Sequence, residues 1–198
     1  MKRGRWIVVA LVIVSFGSSA SAFEGADTFA KDAKILSIEG GGGEEDSFEK
    51  HRLSTDLTFW NAGVRLSYVP FGAAGPGPLF GALEIGLEPF YQRYTGRVDA
   101  FYAGLAAVGR YHFLSLGRFV PYVELAGAAG GTDLDILEID SDFAFLLFGG
   151  GGASLFVTDR IALYAGYRLQ HVSNGGTDVR NRGFESHTGV IGISTFFK

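Results

Sequence analysis

"IALYAGYRLQHVSNGGTDVRNRGFESHTGVIGISTFF", residues 161–197, holds two runs of alternating character around a turn rich in glycine and asparagine. In the first run Ile161, Leu163, Tyr167 and Leu169 share one parity, and Arg168 and Gln170 take the other. In the second, Ile191, Ile193 and Phe197 share a parity. A period of two marks a strand with one apolar face. A hairpin centred on Asp178 sets Leu163 opposite Ile193 and Ala165 opposite Ile191. The same register sets His171 opposite Glu185.

The pattern repeats towards the N-terminus. Residues 56–69 carry Trp60, Ala62, Val64, Leu66 and Tyr68 on one face and Asn61, Arg65 and Ser67 on the other. Residues 79–91 put Leu79, Leu83, Ile85 and Leu87 opposite Glu84 and Glu88. "FYAGLAAVGRYHF" (101–113) separates Phe101, Leu105, Tyr111 and Phe113 from Arg110 and His112. Glu124 lies opposite Val123 and Leu125, and residues 142–157 present Phe143, Phe145, Leu147, Leu155 and Val157 on one side. A weaker first strand (33–42) and a last one (185–198) bring the count to eight.

Composition narrows the class. The chain of 198 residues has no cysteine, a net charge of −4, 30 glycines and 18 phenylalanines. Disulfide frameworks and thiolate metal sites are thereby excluded, and no basic stripe points to nucleic acid. Residues 1–22 read as an export signal: basic "MKRGRW", apolar "IVVALVIVSF", then Ala20-Ser21-Ala22. The apolar run falls short of the ~20 residues of a spanning helix. Residues 23–198 form the second unit. Most of its strands exceed the ~9–11 residues needed to cross a bilayer at a tilt.

An all-β, eight-stranded antiparallel transmembrane β-barrel follows, greasy outside and polar within. The competing class is a soluble barrel with the faces reversed. The near balance of Arg65, Arg110 and Arg168 against Glu84, Glu88 and Glu124 favours the membrane form, because ions packed into so narrow a lumen must pair. With the N-terminus in the periplasm, "EEDSFEKHRLST" (44–55), "TDLDILEIDS" (132–141) and "GGTDVRNRG" (175–183) form the outer loops. The loops at 44–55 and 132–141 are expected to be long.

Parity then assigns a chemistry. His171 and Ser173 continue the lipid-facing set of their strand, and Glu185 that of the next. Residues two apart on a strand are separated by about 6.6 Å, and directly opposed residues by ~4.5–5.5 Å between Cβ atoms. Glu185 is positioned to orient His171, His171 to deprotonate Ser173, and Ser173 to attack an ester. Asn174 and the backbone at Gly175 and Gly176 supply donors for an oxyanion. The plainer alternative is a Ser-Asn-Gly-Gly turn capped by a histidine. His187 is a second possible base, one pair deeper, opposite Leu169.

His171-x-Ser173-Asn174-Gly175, followed by Asn181 and Glu185, resembles the lipid A 3-O-deacylases of the PagL type, eight-stranded outer-membrane esterases. The resemblance is specific over about the last thirty residues and architectural before them. It implies a His171–Ser173–Glu185 triad with Asn174 in the oxyanion hole. It also implies hydrolysis of the 3-position ester of lipid A in lipopolysaccharide, release of a 3-hydroxy fatty acid, and no metal or organic cofactor. The place of action is the bacterial outer membrane, among its lipids, with the site near the outer leaflet. Exposed aromatic rows are compatible with a homodimer. A structural or adhesive barrel and a phospholipase on the same scaffold are the other functional readings.

Overall fold

The computed structural model describes residues 23–46 and 55–198. The expected export signal and residues 47–54 of the first outer loop lie outside the described residues. Eight antiparallel strands close into a barrel: β1 (Lys34–Glu45), β2 (Thr58–Tyr68), β3 (Gly81–Thr95), β4 (Ala100–Phe113), β5 (Phe119–Asp135), β6 (Asp140–Phe156), β7 (Ile161–Ser173) and β8 (Phe184–Phe197). Each strand pairs with the next, and β8 returns to β1. A short helix, α1 (Gly25–Thr28), lies ahead of β1.

Closure fixes the tilt. Following paired residues from Lys34 through Tyr68, Ile85, Gly109, Leu125, Gly149, Leu169 and His187 leads back to Glu44, ten residues beyond the start. An offset of that size over eight strands corresponds to a tilt of about 40° for ordinary strand rise and spacing. The barrel is therefore narrow and its lumen is filled by side chains.

The lumen has three storeys. At the end next to α1, Phe29 is fully buried and its ring sits 4.9 Å from Phe196 and 5.9 Å from Phe156. At the far end, called upper below, Phe59, Phe90, Tyr94, Tyr102, Phe148 and Phe184 form a second apolar cluster. Charge occupies the middle. Arg65 meets Glu39 at 2.8 Å and Glu88 at 3.1 Å. Arg110 meets Glu124 at 2.7 Å, and Arg168 bridges Glu124, at 2.7 Å, to Glu39. Tyr164 donates to Glu39 at 2.9 Å. Glycine makes room for one carboxylate: a Cβ at Gly63 would lie 2.9 Å from the carboxyl carbon of Glu88.

The network differs from its sequence expectation in two ways. Glu39, on the weakly patterned first strand, is a central member. Glu84 stands apart from the arginine cluster, held by His112 Nε2 at 2.7 Å and by the Ser67 hydroxyl at 2.5 Å. The outer face is apolar all round, with Leu66, Leu105, Leu125, Leu147 and Ile191 more than half exposed. Several strands are also longer than the pattern suggested. β5 and β6 run on through most of residues 132–141, so the expected long loop shrinks to a turn at 136–139, with a register shift between Gly131 and Leu134. β1 likewise extends to Glu45.

Removing one partner from a buried ion network strands the others, at about 3–5 kcal/mol. Arg168→Leu is expected to lower the urea midpoint of unfolding from detergent micelles accordingly. Arg97→Leu, which breaks an exposed pair with Asp56, is expected to leave it nearly unchanged.

Candidate active site

The upper ends of β7 and β8 carry the site. Their register pairs Leu163 with Ile193, Ala165 with Ile191 and His171 with Glu185. The inward neighbours Val172 and Phe184 are buried in the upper apolar cluster, which anchors both strand ends. Because successive side chains alternate across a strand, anchoring those two turns His171 and Glu185 outward. Their side chains are 41% and 34% exposed, so both are reachable from outside the barrel wall. His171 Nδ1–H donates to Glu185 Oε1 at 3.2 Å. A carboxylate on Nδ1 selects the tautomer with a basic lone pair on Nε2.

Ser173 closes β7 on the same outward face, opposite Phe145 of β6. Among the described residues no hydrogen bond joins its hydroxyl to His171. Beside the pair, Phe143, Phe145 and Leu147 of β6 present an exposed apolar wall.

The loop after Ser173 is tied by asparagines. Asn174 is fully buried and faces inward, on the opposite side from Ser173. Its backbone N–H donates to Asn181 Oδ1 at 2.8 Å, and its Nδ2 donates to the Arg180 carbonyl at 3.1 Å. Its Oδ1 accepts the Gly176 N–H at 2.9 Å. Gly175 and Gly176 both have positive φ, 66° and 83°, a conformation that favours glycine. Of the donors expected to serve an oxyanion, those of Asn174 and Gly176 thus hold the loop together. The Gly175 N–H makes no hydrogen bond among the described residues.

Gly183 escaped the sequence reading. Its φ is +67°, and a Cβ there would come within 3.0 Å of His171 Cε1, 3.3 Å of Nε2 and 2.8 Å of the Val172 carbonyl. Glycine leaves the imidazole edge that bears Nε2 uncovered. In sequence it is merely the last residue of a glycine-containing turn. His187, the second possible base, is engaged elsewhere: Nε2 contacts Asp46 Oδ2 at 2.8 Å, and Nδ1 contacts the Tyr167 hydroxyl. It faces Leu169, as the register requires. Among the described residues no three His, Asp or Glu side chains gather as metal ligands.

Comparison with known proteins adds an independent view. The profile of the family described as Lipid A 3-O-deacylase (PagL) matches residues 49–194. No curated protein matches the chain. Among solved structures, the outer membrane enzyme PagL is similar at a TM-score of 0.61 and 16% identity, covering 79% of this chain and 97% of its own. Neisserial surface protein A is similar at 0.59 and 18%, covering 84% and 100%. At such identities the structural likeness speaks for the fold. The family match spans well over half of the chain, through both strands that bear the site. The chain is an eight-stranded bacterial outer-membrane barrel and belongs to the lipid A 3-O-deacylase (PagL) family.

Proposed function

We propose that the protein is a serine esterase that hydrolyses the acyl ester at the 3-position of lipid A and releases a 3-hydroxy fatty acid. Residues 1–22 serve as its export signal, and the site works at the outer leaflet. The observation that carries this reading is the His171–Glu185 hydrogen bond on the outward wall of an apolar barrel, with Ser173 two residues further on. Family membership supports lipid A as the substrate.

The chemistry follows from the residues. His171 Nε2 takes the proton of the Ser173 hydroxyl while Oγ attacks the ester carbonyl carbon. Glu185 holds the ring through Nδ1 and stabilises the imidazolium that forms. The oxyanion draws on the Gly175 N–H as the uncommitted donor, in a loop that Asn174 and Asn181 organise. Collapse of the tetrahedral adduct expels the sugar hydroxyl, which receives the proton from His171. Water, deprotonated by the same imidazole, then cleaves the acyl-serine and frees the fatty acid.

Placing this machinery on the outside of the wall suits a lipid. The acyl chains remain in the bilayer, against Phe143, Phe145 and Leu147, while the ester reaches Ser173 at the polar boundary. An outward carboxylate costs little there: charges on the lipid face of a barrel are penalised by roughly 0–1 kcal/mol near the interface.

Purified protein in detergent is expected to convert lipid A to a species lighter by one 3-hydroxyacyl chain, read by mass spectrometry. Ser173→Ala should reduce release at least about a thousandfold while the barrel stays folded. Undiminished release by that variant removes Ser173 from the mechanism, and faster release from phospholipid than from lipid A reassigns the substrate. Gly183→Ala forces a methyl against the imidazole edge and strains a left-handed backbone. Its turnover is expected to fall roughly a hundredfold or more, as small misplacements of reacting groups do, with the unfolding midpoint shifting far less than in Arg168→Leu.

A further inference from the structure

The turn between β5 and β6, residues 136–139, does not stand free in solvent. It folds onto the loop between β7 and β8. Ile139 pairs with Asn181 as an isolated bridge, and the Asp140 N–H donates to the Arg180 carbonyl at 3.3 Å. The Glu138 carbonyl accepts the N–H groups of Arg182, at 2.8 Å, and Gly183, at 3.1 Å. Arg180 reaches back to Asp135 and Asp140 at 3.1 and 3.2 Å.

At the centre lies a buried carboxylate. The Glu138 side chain is 2% exposed, with Oε1 2.9 Å from Arg182 Nη2 and Oε2 accepting the Thr55 hydroxyl at 2.6 Å. Thr55 comes from the connection between β1 and β2. One side chain therefore joins three outer connections. A buried carboxylate is costly unless fully partnered, and here each oxygen has a partner that depends on the loops being in place.

We infer that Glu138 is a positioning residue for the reaction at Ser173, an inference that rests on the function proposed above. It touches no reacting atom. Its carboxylate holds Arg182, and the two chain neighbours of Arg182 carry the influence onward: Gly183 lies against the Nε2 edge of His171, and Asn181 accepts the backbone N–H of Asn174, next to Ser173. The hydroxyl and the imidazole belong to one strand end, but the loop that determines their approach is braced from β5 and β6. Loosening the brace leaves the lipid-facing wall intact and lets the loop drift, so turnover suffers more than binding.

The test uses full-length protein folded in detergent, as wild type, Glu138→Ala, Glu138→Gln and Asp99→Asn. The last removes an exposed charge at the same end of the barrel. Three quantities are read: hydrogen–deuterium exchange of amides 174–183, and kcat and KM for lipid A deacylation. Glu138→Ala is expected to speed exchange in the loop at least tenfold and lower kcat at least tenfold, with KM changed less than threefold. Glu138→Gln, which keeps the shape, should recover part of both, and it carries the test alone if the alanine variant does not fold. Asp99→Asn should match wild type. Unchanged exchange in both Glu138 variants overturns the brace. Faster exchange with undiminished kcat overturns its bearing on the reaction. A wild-type protein with no deacylation but a protected loop refutes the esterase reading, and with it the role given to Glu138, while leaving the brace as architecture.

Discussion

Three guanidinium groups share the middle of the lumen with the carboxylates of Glu39, Glu88 and Glu124, in a space too narrow for bulk water to screen them. Arg65, Arg110 and Arg168 are essentially unexposed. Charges so placed are tolerable only when each meets an opposite partner, and here the strands that carry them are held in one register by the requirement. The decision about which face of each strand points inward is made by these residues. Once Arg168 is committed to the lumen between Glu39 and Glu124, the parity of β7 is settled along its whole length. Leu163, Tyr167 and Leu169 meet lipid, and His171 and Ser173 follow them.

The site is therefore a continuation of the hydrophobic wall into the polar boundary. The same alternation that greases the barrel delivers a histidine, a serine and, from the opposing strand, a glutamate to its outside edge. A soluble hydrolase must draw its substrate out of the membrane. A barrel of this family has no such step to make, because its outer surface is already the phase in which the acyl chains reside. The price is geometric: a flat wall offers no cleft, so loop structure has to supply what a pocket would. In the function proposed here, the tied turn at 174–183 and the hairpin tip folded over it fill that role.

Much of this was legible in residue order. Period-two patterning located the strands, and the pairing of Leu163 with Ile193 implied that of His171 with Glu185, because a ladder without a bulge preserves its register. The charges of opposite sign on the polar faces signalled their mutual neutralisation. Other features were not legible, for identifiable reasons. Glu39 sits in a strand whose glycines, Gly40 to Gly43, blank out the alternation. Residues 132–141 look like a polar loop because strands that project beyond the bilayer no longer need an apolar face. Glu138 appears as one acid among several in that segment, and its burial depends on loops distant in the chain.

Period, parity and hairpin register are local properties, set by neighbours along one strand or across one turn, and the sequence alone determined them: eight strands, a greasy exterior, and an outward His171 and Glu185 face to face. Which carboxylate partners which arginine, how Gly183 lies against the imidazole, and how Glu138 clamps three connections were decided only by the closed tertiary structure. Most of those contacts join residues tens of positions apart, and closing the barrel brings the upper loops together over a single narrow mouth.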